Sequence, residues 1–211
     1  DTLLSLMTLE AFIDQPHSPD EAAKNFLSRL LAAKESLRGL GPTTRAALDM
    51  EVKPEELEMV GRSNGGVMRC ALVGLAIADH AKRRAMVGAL TRATHFHERA
   101  VTAALVGSRL ISDAVELGSA SDIEASVHDE SPEHAAEILE FQPSEVGVTL
   151  DPIETIGAAI AAARTATDAA GAFRAACEFG GDTDTTAALA GALFVARHPL
   201  DHGLSKVSWL Q

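Results

Sequence analysis

The chain contains no tyrosine, one tryptophan and seven phenylalanines, so aromatic rings make up only 4% of its 211 residues. A core built on rings is excluded. It has to come from Ala, Leu, Val, Ile and Met, side chains that suit close packing of helices. Positive charge is scarce too: 18 Lys and Arg stand against 30 Asp and Glu, for a net charge of −12. That balance argues against a nucleic-acid groove, because binding to a phosphate backbone is driven by clustered Lys and Arg. It does not exclude a small phosphorylated ligand held by backbone amides. No uninterrupted apolar run reaches the roughly 18 residues of a membrane span, and no signal peptide is visible. A cytoplasmic protein is the expectation. There are only two cysteines, Cys70 and Cys177, each in a run of small residues. A disulfide between them is one reading; buried free thiols in a reducing compartment are the preferred one. Sustained period-two alternation is missing as well, and "EVGVTL" is the nearest approach to a strand. No linker, low-complexity tract or solenoid repeat interrupts the chain.

What is present is helical. At 46% hydrophobic and 23% charged residues the chain fits a single globular domain, long enough to bury roughly 70% of its unfolded surface. Leu3, Leu4, Met7 and Phe12 recur at helical spacing. Ser18, Pro19 and Glu21 read as a capping box. Gly39, Gly41 and Pro42 break that helix, and Thr43 or Thr44 can cap the next. A short acidic helix is expected in "KPEELEM" and an apolar one through "GGVMRCALVGLAIAD". Further helices are expected in "RRAMVGALTRAT", "HERAVTAALVGSRLISDAVEL", "SDIEASVHDE" and "SPEHAAEILEF". Asp151, Pro152 and Glu154 open another helix. "TDAAGAFRAACEFGG" is a helix stopped by glycines, and a tail ending at Trp209 closes the chain. The expectation is an all-α, single compact multi-helix domain, monomeric.

The last long helix is entered through "GGDTDTTAALAGAL". One reading of Asp182 and Asp184 is plain capping, an N-cap and a first-turn acid favoured by the helix dipole. Yet one acid suffices for a cap, and a second adds like-charge repulsion. The apolar run that follows predicts a buried helix start, where two carboxylates need a counter-charge. No Lys or Arg is near in sequence. A divalent cation is the other reading, and Asp and Thr oxygens suit Mg²⁺ or Mn²⁺ rather than zinc. The chain opens on an echo, "DTLL", another Asp-Thr before an apolar helix.

Two glycine loops, "GLGPTTR" and "GRSNGG", also run into helices. Each is either an anion site of exposed backbone N–H groups or an ordinary helix connection. His95 and His97 are two apart, on different faces of any helix, so a joint metal site is not expected; each reads as a surface or capping histidine. The acidic run "HDESPEH" reads as a solvated loop. No Ser-His-Asp signal, Walker loop, dinucleotide fingerprint or zinc spacing is found.

Together these segments resemble the ADP-ribosylglycohydrolase family, the group that includes the dinitrogenase reductase-activating glycohydrolase. The carrying residues are "GGDTDTTAALAGAL", "SNGGVMR", "GLGPTTRAAL", "ATH" and "DTLL", in the family's order and at similar separations. The resemblance spans the chain, and the first motif is the most specific. It implies an all-α fold with two Mg²⁺ or Mn²⁺ ions in a central cleft, and hydrolysis of an N- or O-glycosidic bond at C1″ of ADP-ribose. It implies that Asp182, Asp184 and Thr185 are metal ligands, that Asp182 and Asp184 serve catalysis, and that Asp1 is the last acid of a Thr-Asp-Asp-Thr signature. Ser63, Asn64 and Gly65 resemble the segment lining the ADP-ribose pocket, Gly41 a loop near the diphosphate, and His95 a residue near the ribose. The implied partner is an ADP-ribosylated protein or a small molecule containing ADP-ribose. Two cations about 3.5–4 Å apart can hold ribose hydroxyls, acidify a water and stabilise a departing group. The family's upstream acidic, glycine-rich segment and the Thr-Asp before Asp1 are not in this sequence, so the domain over residues 1–211 reads as lacking its N-terminal segment. Two other functions stand beside the hydrolase: a non-catalytic ADP-ribose or nucleotide binder, and a structural helical protein whose aspartates only cap.

Overall fold

Proline, glycine and aspartate divide the chain into helices, in the order α1 (Thr2–Asp14), α2 (Pro19–Ala33), α3 (Pro42–Ala47), α4 (Gly65–Cys70), α5 (His80–Arg92), α6 (Glu98–Leu117), α7 (Ile123–Glu130), α8 (Ala135–Leu139), α9 (Pro152–Thr165), α10 (Ala169–Glu178) and α11 (Thr183–Arg197). Short 3-10 turns lie at Pro54–Met59, Ala71–Leu75 and Gly118–Ala120. The computed structural model describes residues 1–200 and 203; Trp209 lies outside them. Among the described residues there is no strand, only one parallel bridge between Val148 and Gly181. No described helix is long and apolar enough to cross a membrane.

Helix α6 is the hub. It packs against α4, α5, α7, α9, α11 and the 71–75 turn. Its buried face is mostly small, with Ala100, Ala103, Ala104, Gly107, Ser108 and Ala114, which lets neighbouring backbones come close. α1 pairs with α2, α2 with α5, and α9 with α10 and α11. The scarcity of rings is visible in the core, where Phe12, Phe26 and Phe194 are the buried phenylalanines among the described residues.

Several local expectations change. The apolar run after Gly65 is not one helix: it tightens into a 3-10 turn after Cys70. The reason is contact with α6, since a Cβ at Gly74 would lie 2.2 Å from the Ser108 carbonyl oxygen. The acidic "PEELEM" is a 3-10 turn. Ser18 stands at the N-cap of α2 without a side-chain capping bond, and Glu21 pairs with Lys24 at 2.7 Å and does not close a capping box. Gly41, not a threonine, is the N-cap of α3. The run "HDESPEH" is no solvated loop: it ends α7, and Glu130 is buried against Arg84 and His80. Both cysteines are free thiols, but Cys177 is exposed and only Cys70 is buried.

Candidate functional site

The heads of α1, α4 and α11 meet the segment 36–44 around a cavity of about 320 Å³. That volume is at the lower end of ligand pockets, which run roughly 300–1,000 Å³. Every residue that the family resemblance assigns to the site lines it: Asp1, Asp182, Asp184 and Thr185 from two helix mouths, and Gly41, Ser63, Asn64, Gly65 and His95 from the loops.

The position of Asp182 is set by backbone. Gly180 and Gly181 both have positive φ, +74° and +73°. Val148 N–H donates to the Gly180 carbonyl at 3.1 Å, and Asp182 N–H donates to the Val148 carbonyl at 2.8 Å. A Cβ on Gly181 would lie 2.1 Å from the Val148 oxygen. This bridge fixes how α11 enters the cavity.

The carboxylates there behave unlike other helix-starting aspartates. Asp79, Asp122, Asp151 and Asp168 each accept a first-turn backbone N–H at the heads of α5, α7, α9 and α10. Asp1 and Asp182 occupy the same N-cap position in α1 and α11, and neither side chain makes a capping bond. Asp182 instead accepts from the Asn64 side-chain amide. Asp1 accepts from the Thr185 hydroxyl at 3.3 Å. Asn64 is itself anchored, donating to Thr155 Oγ1 of α9 at 2.9 Å. Burial pushes the Asp182 carboxyl above its ordinary range; Asn64 opposes this and neighbouring Asp184 adds to it. Among the described residues no Lys or Arg pairs with Asp1, Asp182 or Asp184.

The expectation of a buried helix mouth is corrected. Asp1 and Asp184 are exposed and Asp182 is half-buried; burial of α11 begins at Thr185 and Thr186. The mouth opens into the cavity because the apolar faces of α11 pack farther along, against α9 and α10. The threonines divide their work: Thr186 donates back to the Asp182 carbonyl at 2.8 Å, while Thr185 reaches Asp1.

A model of the ADP-ribosylglycohydrolase family matches residues 1–210. The chain belongs to the ADP-ribosylglycohydrolase family. Among solved structures it is similar to an ADP-ribosylglycohydrolase-related protein complex, with a TM-score of 0.68 and 24% identity, over 93% of this chain and 69% of that one. At that identity the likeness is one of fold. No curated protein matches the chain.

In this chain the histidines part company. His97 stands at the N-cap of α6 and, with Nδ1, accepts from Arg99 N–H at 3.4 Å, as a capping histidine does. His95 is buried, against the expectation of a surface residue, because its ring is packed on Gly65; a Cβ there would lie 2.9 Å from Nε2. Burial, with the nearby Arg69 charge, lowers the His95 pKa to about 3, so the ring is neutral. Thr43, read from the sequence only as a possible cap, also lines the cavity, and behind its wall the buried Thr155, Thr94 and Arg69, which were not singled out, hold Asn64 and His95. An arginine inside the apolar run "GGVMRCALVG" was a usable signal, since a charge there has to be buried and paired. Among the described residues, no three His, Cys, Asp or Glu side chains are gathered tightly enough to hold a cation by themselves.

Proposed function

We propose that the cavity is the active site of a metal-dependent hydrolase that cleaves the glycosidic bond between ADP-ribose and a protein side chain or a related acceptor. The observation that carries this reading is the pair of N-cap aspartates, Asp1 and Asp182, which forgo the capping bond made at four other helices and face the cavity instead. The donor set fits a hard divalent cation by its chemistry: Asp1, Asp182, Asp184 and the Thr185 hydroxyl offer only oxygen, and the carboxylates lack a cationic partner among the described residues. Bound there, a pair of Mg²⁺ or Mn²⁺ ions would supply Lewis acidity and an activated water. The chain's own residues do the rest. Asn64 holds the Asp182 carboxylate in place from α4. The Gly180–Gly181 bridge holds its backbone. Gly41, Ser63 and Gly65 line the same cavity and would contact the ADP-ribose.

The test is release of ADP-ribose from ADP-ribosylated arginine or serine substrates with added Mg²⁺ or Mn²⁺. Asp182→Asn and Asp184→Asn should each lower turnover at least ~100-fold, the scale of losing one charge-stabilising group. Equal turnover by the wild-type protein and both variants would sink the assignment.

A second reading, a non-catalytic ADP-ribose binder, is favoured by the lack of a three-ligand cluster among the described residues. Calorimetric titration with ADP-ribose separates the two: tight binding without turnover in the presence of either metal supports the binder.

A further inference from the structure

Arg69 is 1% exposed, yet no carboxylate pairs with it among the described residues. A buried guanidinium is expensive unless its protons are satisfied, and here carbonyls and hydroxyls satisfy them. Nη2 donates to the carbonyl of Leu90 at 2.8 Å, to that of Thr91 at 3.3 Å, and to Thr94 Oγ1 at 2.8 Å. Nη1 lies 3.1 Å from Cys70 Sγ, and the guanidinium carbon sits 4.2 Å from the centre of the Phe26 ring. A fold needing only a filled core would place an apolar side chain here. The contact with Thr94 points elsewhere.

From Thr94 a row of hydrogen bonds runs to the cavity wall. Thr94 Oγ1 and His95 Nδ1 are 2.8 Å apart, His95 Nε2 and Ser63 Oγ 3.1 Å, and Ser63 Oγ and Thr43 Oγ1 3.1 Å. The far end has a direction. Thr43 has one hydroxyl proton and gives it to the Met59 carbonyl at 2.9 Å, an acceptor only. Thr43 Oγ1 also accepts Gly61 N–H at 3.0 Å. Ser63 must therefore donate its only proton to Thr43, so it accepts from His95 Nε2–H. The imidazole is then left with an unprotonated Nδ1, which accepts the Thr94 proton, and Thr94 oxygen in turn accepts from Arg69. A donor-only group stands at one end and an acceptor-only group at the other. The bonds between them can all be made only in this sense.

We propose that Arg69 and Thr94 are positioning residues that hold His95 as the Nε2–H tautomer and thereby present Ser63 to the cavity as a hydrogen-bond acceptor. Both ring nitrogens of His95 are used inside the protein, so it neither donates to a ligand nor shuttles a proton. The oxygen of Ser63, with its proton committed to Thr43, has one lone pair left for the cavity. It suits a ligand group that donates, such as a sugar hydroxyl, and disfavours the unprotonated oxygens of a phosphate. This chemical selection rests on the ADP-ribose reading above; the proton arrangement does not.

The arrangement is read by long-range ¹H–¹⁵N NMR of the protein without ligand, with the His95 signals identified by their loss in His95→Gln. The Nε2–H tautomer should persist unchanged from about pH 5 to about pH 8. An Nδ1–H tautomer, or titration within that window, overturns the proposal. Thr94→Val leaves Nδ1 without its donor and Ser63 as the one remaining restraint on the ring, so the Nδ1–H form should appear beside Nε2–H and ADP-ribose binding should weaken about tenfold, the worth of one hydrogen bond; Thr94→Ser should restore both. Ser63→Ala should weaken binding to the same extent, and adding Thr94→Val to it should weaken binding no further, as expected of residues acting in one row. A Thr94→Val protein with an unchanged tautomer, or losses that add, overturns the positioning role. If the wild-type protein does not bind ADP-ribose, the functional reading fails, and the tautomer experiment still decides the proton arrangement.

Discussion

At Asp79, Asp122, Asp151 and Asp168 a carboxylate closes the first turn of a helix, whereas at Asp1 and Asp182 the same residue in the same position turns to the cavity. Asp151→Ala should accordingly destabilise the fold by about 1 kcal/mol, the ordinary value of a cap, with a further loss because it also pairs with Arg99 at 2.8 Å. Asp182→Asn relieves half-burial of a charge beside Asp184, so its folded state should be as stable as the wild type or more so in chelator. Urea denaturation with a chelating agent measures both. His95 carries a separate prediction. Its pKa is lowered from 6.5 to about 3 by burial and by Arg69, so between those values the unfolded chain binds a proton that the folded chain does not. The neutral ring's stabilising share is complete above pH 6.5 and is lost as pH falls below it. Between about pH 7.5 and pH 5 it should decline by about 2 kcal/mol. His95→Gln should lose that part of the pH dependence.

The element that decides the site is the entry to α11. Gly181 combines a positive φ with a backbone approach that leaves no space for a Cβ. Gly181→Ala should destabilise by roughly 2–4 kcal/mol, the sum of strain at a left-handed position and a displaced bridge. It should also lower ADP-ribose release, because Asp182 N–H would lose the Val148 carbonyl that holds it. Thermal denaturation and turnover, measured on one preparation, check the two effects. Arg69 performs a comparable task between elements. It reaches backbone of α5 from α4 and lies over Phe26 of α2. Arg69→Lys keeps the charge but cannot reproduce the planar set of donors, and should destabilise by roughly 3–5 kcal/mol, the scale for breaking a buried charged network.

At the scale of the whole molecule, an acidic protein carrying three unpaired carboxylates at one cavity should respond to divalent cations. A ligand bound only by the native state at 100 times its Kd adds about 2.7 kcal/mol, and for a chain of this size roughly 2–4 °C accompanies each kcal/mol. Saturating Mn²⁺ should therefore raise the melting temperature by roughly 5–10 °C, and Asp182→Asn should abolish the rise. A melting temperature indifferent to Mg²⁺ and Mn²⁺ would return these aspartates to a structural role. The scaffold suits such a site. The small-residue face of α6 lets α4, α9 and α11 come close on one side of the hub, and two of their heads, α4 and α11, open on the cavity.

The sequence by itself determined the helical class and most helix positions, because capping residues, apolar periodicity and glycine stops act over a few neighbouring positions; Asp1, Ser63 and Asn64 were legible as cavity residues only through the family resemblance. Its errors were also local in origin. A periodicity cannot tell an α-helix from a 3-10 turn pressed against α6 at Gly74, and an acidic composition cannot reveal that Glu130 is buried on Arg84. The tertiary structure decided what depends on distant partners. It brought Thr185 to Asp1 and Asn64 to Asp182, pairs separated by 184 and 118 positions. It turned the head of α11 toward a cavity instead of the core. It also gave His95 its burial and its proton arrangement, because the direction of a hydrogen bond is set by what lies at the far end of the row, and Arg69 and Met59 meet that row only in the folded chain.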